Sequence, residues 1–113
     1  YACDGIYGFI RDLEWLKQDH RVTVLVFSEF GRRVAENANL GTDHGSANVM
    51  FVAGSPVKGG HYGQPPSLTD LHEHNLSFTT DFRQVYATVI EDWLGVDAQR
   101  VLGSPFARFP LCA

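Results

Sequence analysis

Apolar residues recur along this chain with two different periods, and the change of period marks out its elements. In residues 4–19, Ile6, Phe9, Ile10, Leu13 and Leu16 fall at helical spacing with Asp and Arg residues opposite, which predicts an amphipathic helix. Gly5 and Gly8 weaken its first turn. His20 and Arg21 suit its end, near the negative pole of the helix dipole. Val22–Ser28 (VTVLVFS) is a continuous β-branched and aromatic run, the pattern of a strand covered on both faces. Asn48–Gly54 (NVMFVAG) predicts a second buried strand. From Thr80 to Leu94, Phe82, Val85, Tyr86, Val89, Ile90 and Trp93 form one helical stripe. Asp81 with Gln84 makes a capping box there, and Gly95 is the stop signal.

Helix, strand, strand, helix is an α/β order. The two strands are expected to be neighbours in one sheet, with the Thr80–Leu94 helix packed on it through its stripe. A parallel sheet needs more neighbours than two strands supply. Ser55–Thr79 is long and carries Pro56, Pro65, Pro66 and several glycines; such segments in a compact domain are functional or disordered. The sheet is therefore expected to be completed elsewhere. Residues 1–113, with Tyr1 first and Met50 the sole methionine, read as the C-terminal segment of a single larger α/β domain. Alone, this segment should expose a large apolar surface, or bury it against the remainder of its domain or another subunit.

Composition narrows the classes. At 113 residues, 44% of them apolar and 19% charged, the chain fits one globular domain and not a disordered one. A net charge of -4 without a Lys/Arg block argues against nucleic acid as the main partner. No apolar run approaches the roughly 18 residues of a membrane span. Cys3 and Cys112 stand at opposite ends; a bridge between them and two separate thiols are both compatible with the sequence.

Candidate chemistry gathers at the strand ends, where open α/β sheets bind ligands. Ser28-Glu29-Phe30-Gly31-Arg32-Arg33 leaves the first strand, with Glu29 at the sheet edge and Gly31 expected to allow a sharp turn. Gly41-Thr42-Asp43-His44-Gly45 is expected to be a polar loop before the second strand, offering an oxygen and a nitrogen donor side by side. Each feature also has a plainer reading, a surface Glu beside an Arg pair and an Asp-His turn. His61, His72 and His74 lie in the long segment, where Asp70–His74 is rich in donors but also typical of a solvated loop. The Gly59-Gly60 pair reads as turn chemistry, and His20 as a helix-end residue.

The motifs VLVFSEFGRR, GTDHGSANVMFVAGSPVKGG, PSLTDL and TTDFRQVYATVIEDWLG, in that order, resemble the bacterial family called domain of unknown function 1501. The resemblance runs from about Val22 to Gly95. It implies a place in the alkaline phosphatase-like superfamily, with sulfatases and cofactor-independent phosphoglycerate mutases, and hence the C-terminal part of an alkaline phosphatase-like sheet with flanking helices. It further implies an exported protein, periplasmic or extracellular, and a metal-dependent hydrolase of phosphate or sulfate esters, incomplete without upstream residues.

On that resemblance, Glu29, Asp43 and His44 would be ligands or neighbours of a divalent metal (zinc, manganese or calcium). Arg32 would pair with a small anionic ester. Two departures weigh on it. Phe30 stands where relatives with two metals carry a ligand His. No nucleophilic Ser, Thr or Cys flanked by Asp ligands is matched in this chain. The alternative is a non-catalytic binding or scaffold protein that keeps the fold without its metals.

Overall fold

The computed structural model describes residues 1–112. The N-terminal stripe does form a helix, α1 (Ala2–Trp15), running through Gly5 and Gly8. It stops earlier than its periodicity predicts, because Lys17 turns to φ 57°, and His20 and Arg21 fall in a separate 3-10 turn, Asp19–Arg21. No residue of α1 is buried. Its main packing partner is that short turn, so most of its apolar stripe lacks a cover.

The two apolar runs form β1 (Val24–Val26) and β4 (Phe51–Ala53), paired as expected, with Leu25 opposite Val52. Their pairing is antiparallel, which corrects the parallel arrangement drawn from their hydrophobicity. Neither strand is covered on both faces: β1 is half-buried throughout and Phe51 is exposed. Between them, the chain makes an antiparallel ribbon of β2 (Gly31–Glu36) and β3 (Thr42–Gly45). The expected Gly41–Gly45 loop is thus largely a strand. Gly31 makes no sharp turn; its need is space, since a Cβ there would lie 1.5 Å from the Ala47 carbonyl oxygen.

The long Ser55–Thr79 segment is irregular apart from a small hairpin, β5 (Leu71–His72) and β6 (Asn75–Leu76). Glu73 and His74 form its two-residue turn, both with positive φ (49° and 65°), the primed geometry that matches strand twist. The donor-rich Asp70–His74 run is therefore hairpin chemistry.

The C-terminal helix begins at α2 (Phe82–Thr88) and widens into a π turn, Val89–Trp93. Thr88 Oγ1 donates back to the Gln84 carbonyl (2.7 Å) at that junction, a bond that loosens the regular ladder. Gly95 ends the element with φ 66°, as expected. Asp81 does cap α2, but its side chain bonds the Arg83 N–H (2.9 Å) and guanidinium in place of the reciprocal Gln84 contact. A further helix, α3 (Ala98–Leu102), capped by Asp97 and closed by Gly103, was not foreseen from periodicity.

α2 packs chiefly on α3 and the C-terminal tail, and meets the end of β1 through the Phe27–Tyr86 ring contact (6.0 Å). Its buried positions are Ala87 and Thr88, beside the predicted stripe. The stripe itself is half-buried, and Phe82 at its start is 55% exposed.

Small antiparallel sheets with helices beside them make this a mixed α/β structure. Among the described residues, the buried apolar set is Ala87, Ala98 and Leu111. The chain exposes 8454 Å², whereas surface scaling gives roughly 6200 Å² for a compact monomer of 12.6 kDa. Its radius of gyration, 16.4 Å, also exceeds the roughly 13 Å of a compact chain this long. The expected large apolar surface is present: Tyr7, Trp15, Phe27, Phe51, Phe78 and Phe82 are all exposed. No helix among the described residues is long and apolar enough to cross a membrane.

Candidate functional site

The β2–β3 ribbon carries most of the candidate residues. Arg32 and His44 are direct cross-strand partners, so their side chains share a face. Phe30, entering β2, stacks on the His44 imidazole with ring centroids 3.7 Å apart and planes 15° from parallel. The Arg32 guanidinium lies 5.4 Å from the centre of the same phenyl ring. Two side chains able to bind anions therefore contact one aromatic ring. Arg32 Nη1 also donates to the Thr42 carbonyl (2.7 Å), tying its position to β3.

Asparagines hold the ribbon's two ends. Asn37 Oδ1 accepts the N–H groups of Asn39 (3.0 Å) and Gly41 (3.2 Å), forming the turn. Its Nδ2 donates to Asp43 Oδ1 (3.0 Å). At the other end, Asn48 Nδ2 donates to the carbonyls of Ser28 (2.7 Å) and Phe30 (3.3 Å), pinning the connector that leaves β1. Gly45 completes the close fit, since a Cβ there would lie 2.8 Å from the Arg32 carbonyl carbon.

The strand register is irregular between Arg32 and Glu36, where Arg33, Val34 and Ala35 face the single residue Asp43. Bulges of this kind re-aim side chains. The outcome is an open recess of about 480 Å³ lined by Arg32, Arg33, Asn37, Thr42, Asp43 and His44. Asp43 and His44 are thus brought together with Arg32.

Glu29 is not with them. It is exposed, 3.5 Å from the Ser28 hydroxyl, and lines a separate, larger groove of about 1100 Å³. That groove runs between the β1 exit, β4, the 57–66 segment and the start of α2, with Phe30, Phe51, Tyr62 and Phe82 among its walls. The described residues contain no group of three or more His, Cys, Asp or Glu able to hold one metal ion. His61 lines the larger groove. His72 sits exposed on β5, His74 in the hairpin turn, and His20 exposed in the 3-10 turn. Cys3 and Cys112 are free thiols; burial and the nearby Asp92 push the Cys112 thiol up.

Asn37 and Asn48 were not singled out in the sequence, and Arg33 was read only as half of the Arg pair leaving the first strand. Asn37 had a signal, since Asn37-Ala-Asn-Leu-Gly41 is rich in turn residues. Arg33 had none, because alternation in a regular strand would have placed it on the face away from Arg32.

A family model described as protein of unknown function (DUF1501) matches residues 3–109, nearly the whole chain. The chain belongs to the DUF1501 family. The ribbon and its recess lie within the matched residues, as does the groove apart from Leu111. No curated protein and no solved structure matches the chain.

Proposed function

We propose that this DUF1501 chain supplies the anion-facing wall of an exported, metal-dependent hydrolase of phosphate or sulfate esters. On this reading it is the C-terminal segment of an alkaline phosphatase-like domain, periplasmic or extracellular, whose remaining residues or a second subunit cover its apolar faces. The observation that carries the proposal is the joint seating of Arg32 and His44 on Phe30, beside Asp43, in one solvent-open recess.

The donor chemistry fits a metal only in part. Asp43 and His44 offer one oxygen and one nitrogen, a mixture that zinc or manganese accepts. Glu29, in the neighbouring groove, does not join them, so the remaining ligands would come from outside these residues. A bound divalent metal would polarise the ester oxygen and lower the pKa of the attacking group. The chain's own residues orient the substrate. Arg32 offers a guanidinium to the anionic group, Asn37 fixes the Asp43 carboxylate, and Phe30 holds the plane of the imidazole.

The same contacts also suit a non-catalytic binding protein. Phe30 covers a face of His44, and part of the Arg32 fork is spent on the Thr42 carbonyl. The two readings separate on His44→Ala in the full-length protein, assayed on aryl phosphates and aryl sulfates with bound metal measured in parallel. The hydrolase reading expects loss of metal and an activity loss beyond the roughly 10–100-fold that follows removal of a supporting residue. Unchanged metal content and activity would overturn it.

A further inference from the structure

We infer that Arg33, and not its neighbour Arg32, is the principal oxyanion-binding residue of the ribbon recess. The inference rests on the anionic-substrate reading above and names the group that would recognise the anion. Arg32 is exposed to water, stacks on Phe30 and donates to a backbone carbonyl. Its guanidinium is already partly used.

Arg33 is in the opposite state. It is half-buried, and its Nε is shielded from solvent with no hydrogen-bond acceptor among the described residues. That shielded Nε is out of reach of a ligand in the open recess, so an anion there would be met by the terminal nitrogens of the same guanidinium. The register irregularity places Arg33 in the recess wall, beside Asp43 and His44. Charge in the recess agrees: two guanidiniums face one carboxylate, and that carboxylate already accepts from Asn37. A volume of about 480 Å³ admits a tetrahedral oxyanion with part of its ester group. Phosphate and sulfate share the chemistry required, a cluster of anionic oxygens that can take a fork of N–H donors.

The test is calorimetric titration of the full-length protein with inorganic phosphate, and separately with inorganic sulfate, in metal-free buffer. Arg33→Gln should weaken binding of the preferred anion about tenfold or more, the usual value of a charge-assisted bond. Arg32→Gln should weaken it by less than about threefold, the value of a largely exposed pair. Arg33→Lys should recover only part of the loss, because it restores charge but not the planar fork. Without anion, Arg33→Gln should melt at or above the parent temperature, since the Nε it removes has no partner.

Four results would overturn the inference: no binding of either anion by the parent protein; unchanged binding by Arg33→Gln; equal losses at Arg32 and Arg33; or marked destabilisation of Arg33→Gln without anion, which would mean that the protein itself supplies the acceptor. Failure of the hydrolase reading looks different. Anion binding that depends on Arg33, with no ester turnover under any divalent metal, would leave this site standing and remove catalysis.

Discussion

Thr88 and Asp43 are both hydrogen-bonded polar residues, yet they belong to regions built on opposite terms. Thr88 is fully buried, and its one hydroxyl serves two segments: it donates to Gln84 and accepts from the Phe109 N–H (3.0 Å). Around it, Glu91 accepts from the Ala98 N–H (3.3 Å), and Arg108 bridges Glu91 and Asp92. Polar groups there knit α2, α3 and the tail into one unit. In the β2–β3 ribbon the side chains of Asp43, His44 and Arg32 face water, and the buried contact is made by backbone at Gly31. Side chains spent on packing leave none for a ligand. The ribbon leaves these three side chains exposed by letting glycines make the packing.

Gly31→Ala should therefore produce the largest effect and break the ribbon first. A Cβ at 1.5 Å from the Ala47 oxygen requires the backbone to move, with a cost of about 3 kcal/mol, the upper end of ordinary overpacking. Denaturant unfolding of the full-length protein gives the size. Amide exchange gives the place: protection should fall across Gly31–Gly45 and persist around Thr88. Equal loss in both regions would mean that the two are one cooperative unit.

The same contrast explains what could be read beforehand. Apolar periodicity located α1, β1, β4 and α2, because burial against any partner imposes it. It misjudged how deeply they are covered, because a hydrophobic pattern records the need for a partner and not its presence; Phe51 and Phe82 show the difference. It misjudged strand direction for a similar reason, since heavily apolar strands serve parallel and antiparallel pairs alike. Asp43, His44 and Arg32 were legible through residue type. Arg33 was not, because its place depends on a register irregularity that no local composition encodes.

Thr88→Val should be the next largest effect and sharpens the comparison from the other side. The substitution keeps shape but leaves the Phe109 N–H without its acceptor. A loss of roughly 2 kcal/mol is expected for a part-buried orphan donor. Exchange protection should now fall in the tail and α3, while the ribbon's anion binding, read by phosphate titration, stays within experimental error of the parent. A change in anion binding would show that the helical unit positions the recess after all.

The smallest effect lies at the start of α2, at a half-buried cap. Asp81 accepts from the Arg83 N–H and from its guanidinium, and those bonds hold its carboxyl down at about 2, below the ordinary 3.8. A depressed carboxyl pKa stabilises the folded form wherever the group is ionised in both states. The contribution is thus complete above the ordinary value. It fades as pH falls from about 4 and is gone once pH passes below about 2. Solvent exposure and salt both weaken the pair, so the loss should appear as partial fraying of α2 and not as global unfolding. Asp81→Asn keeps an N-cap acceptor but has no charge to lose. Helical ellipticity of the parent should decline between pH 4 and 2 more than that of the Asn variant, and the gap should narrow in high salt. Superimposable acid limbs would show that the cap works through its geometry alone, which would make the entry to α2 resemble the neutral bonds of the Thr88 hydroxyl more than the charged ribbon.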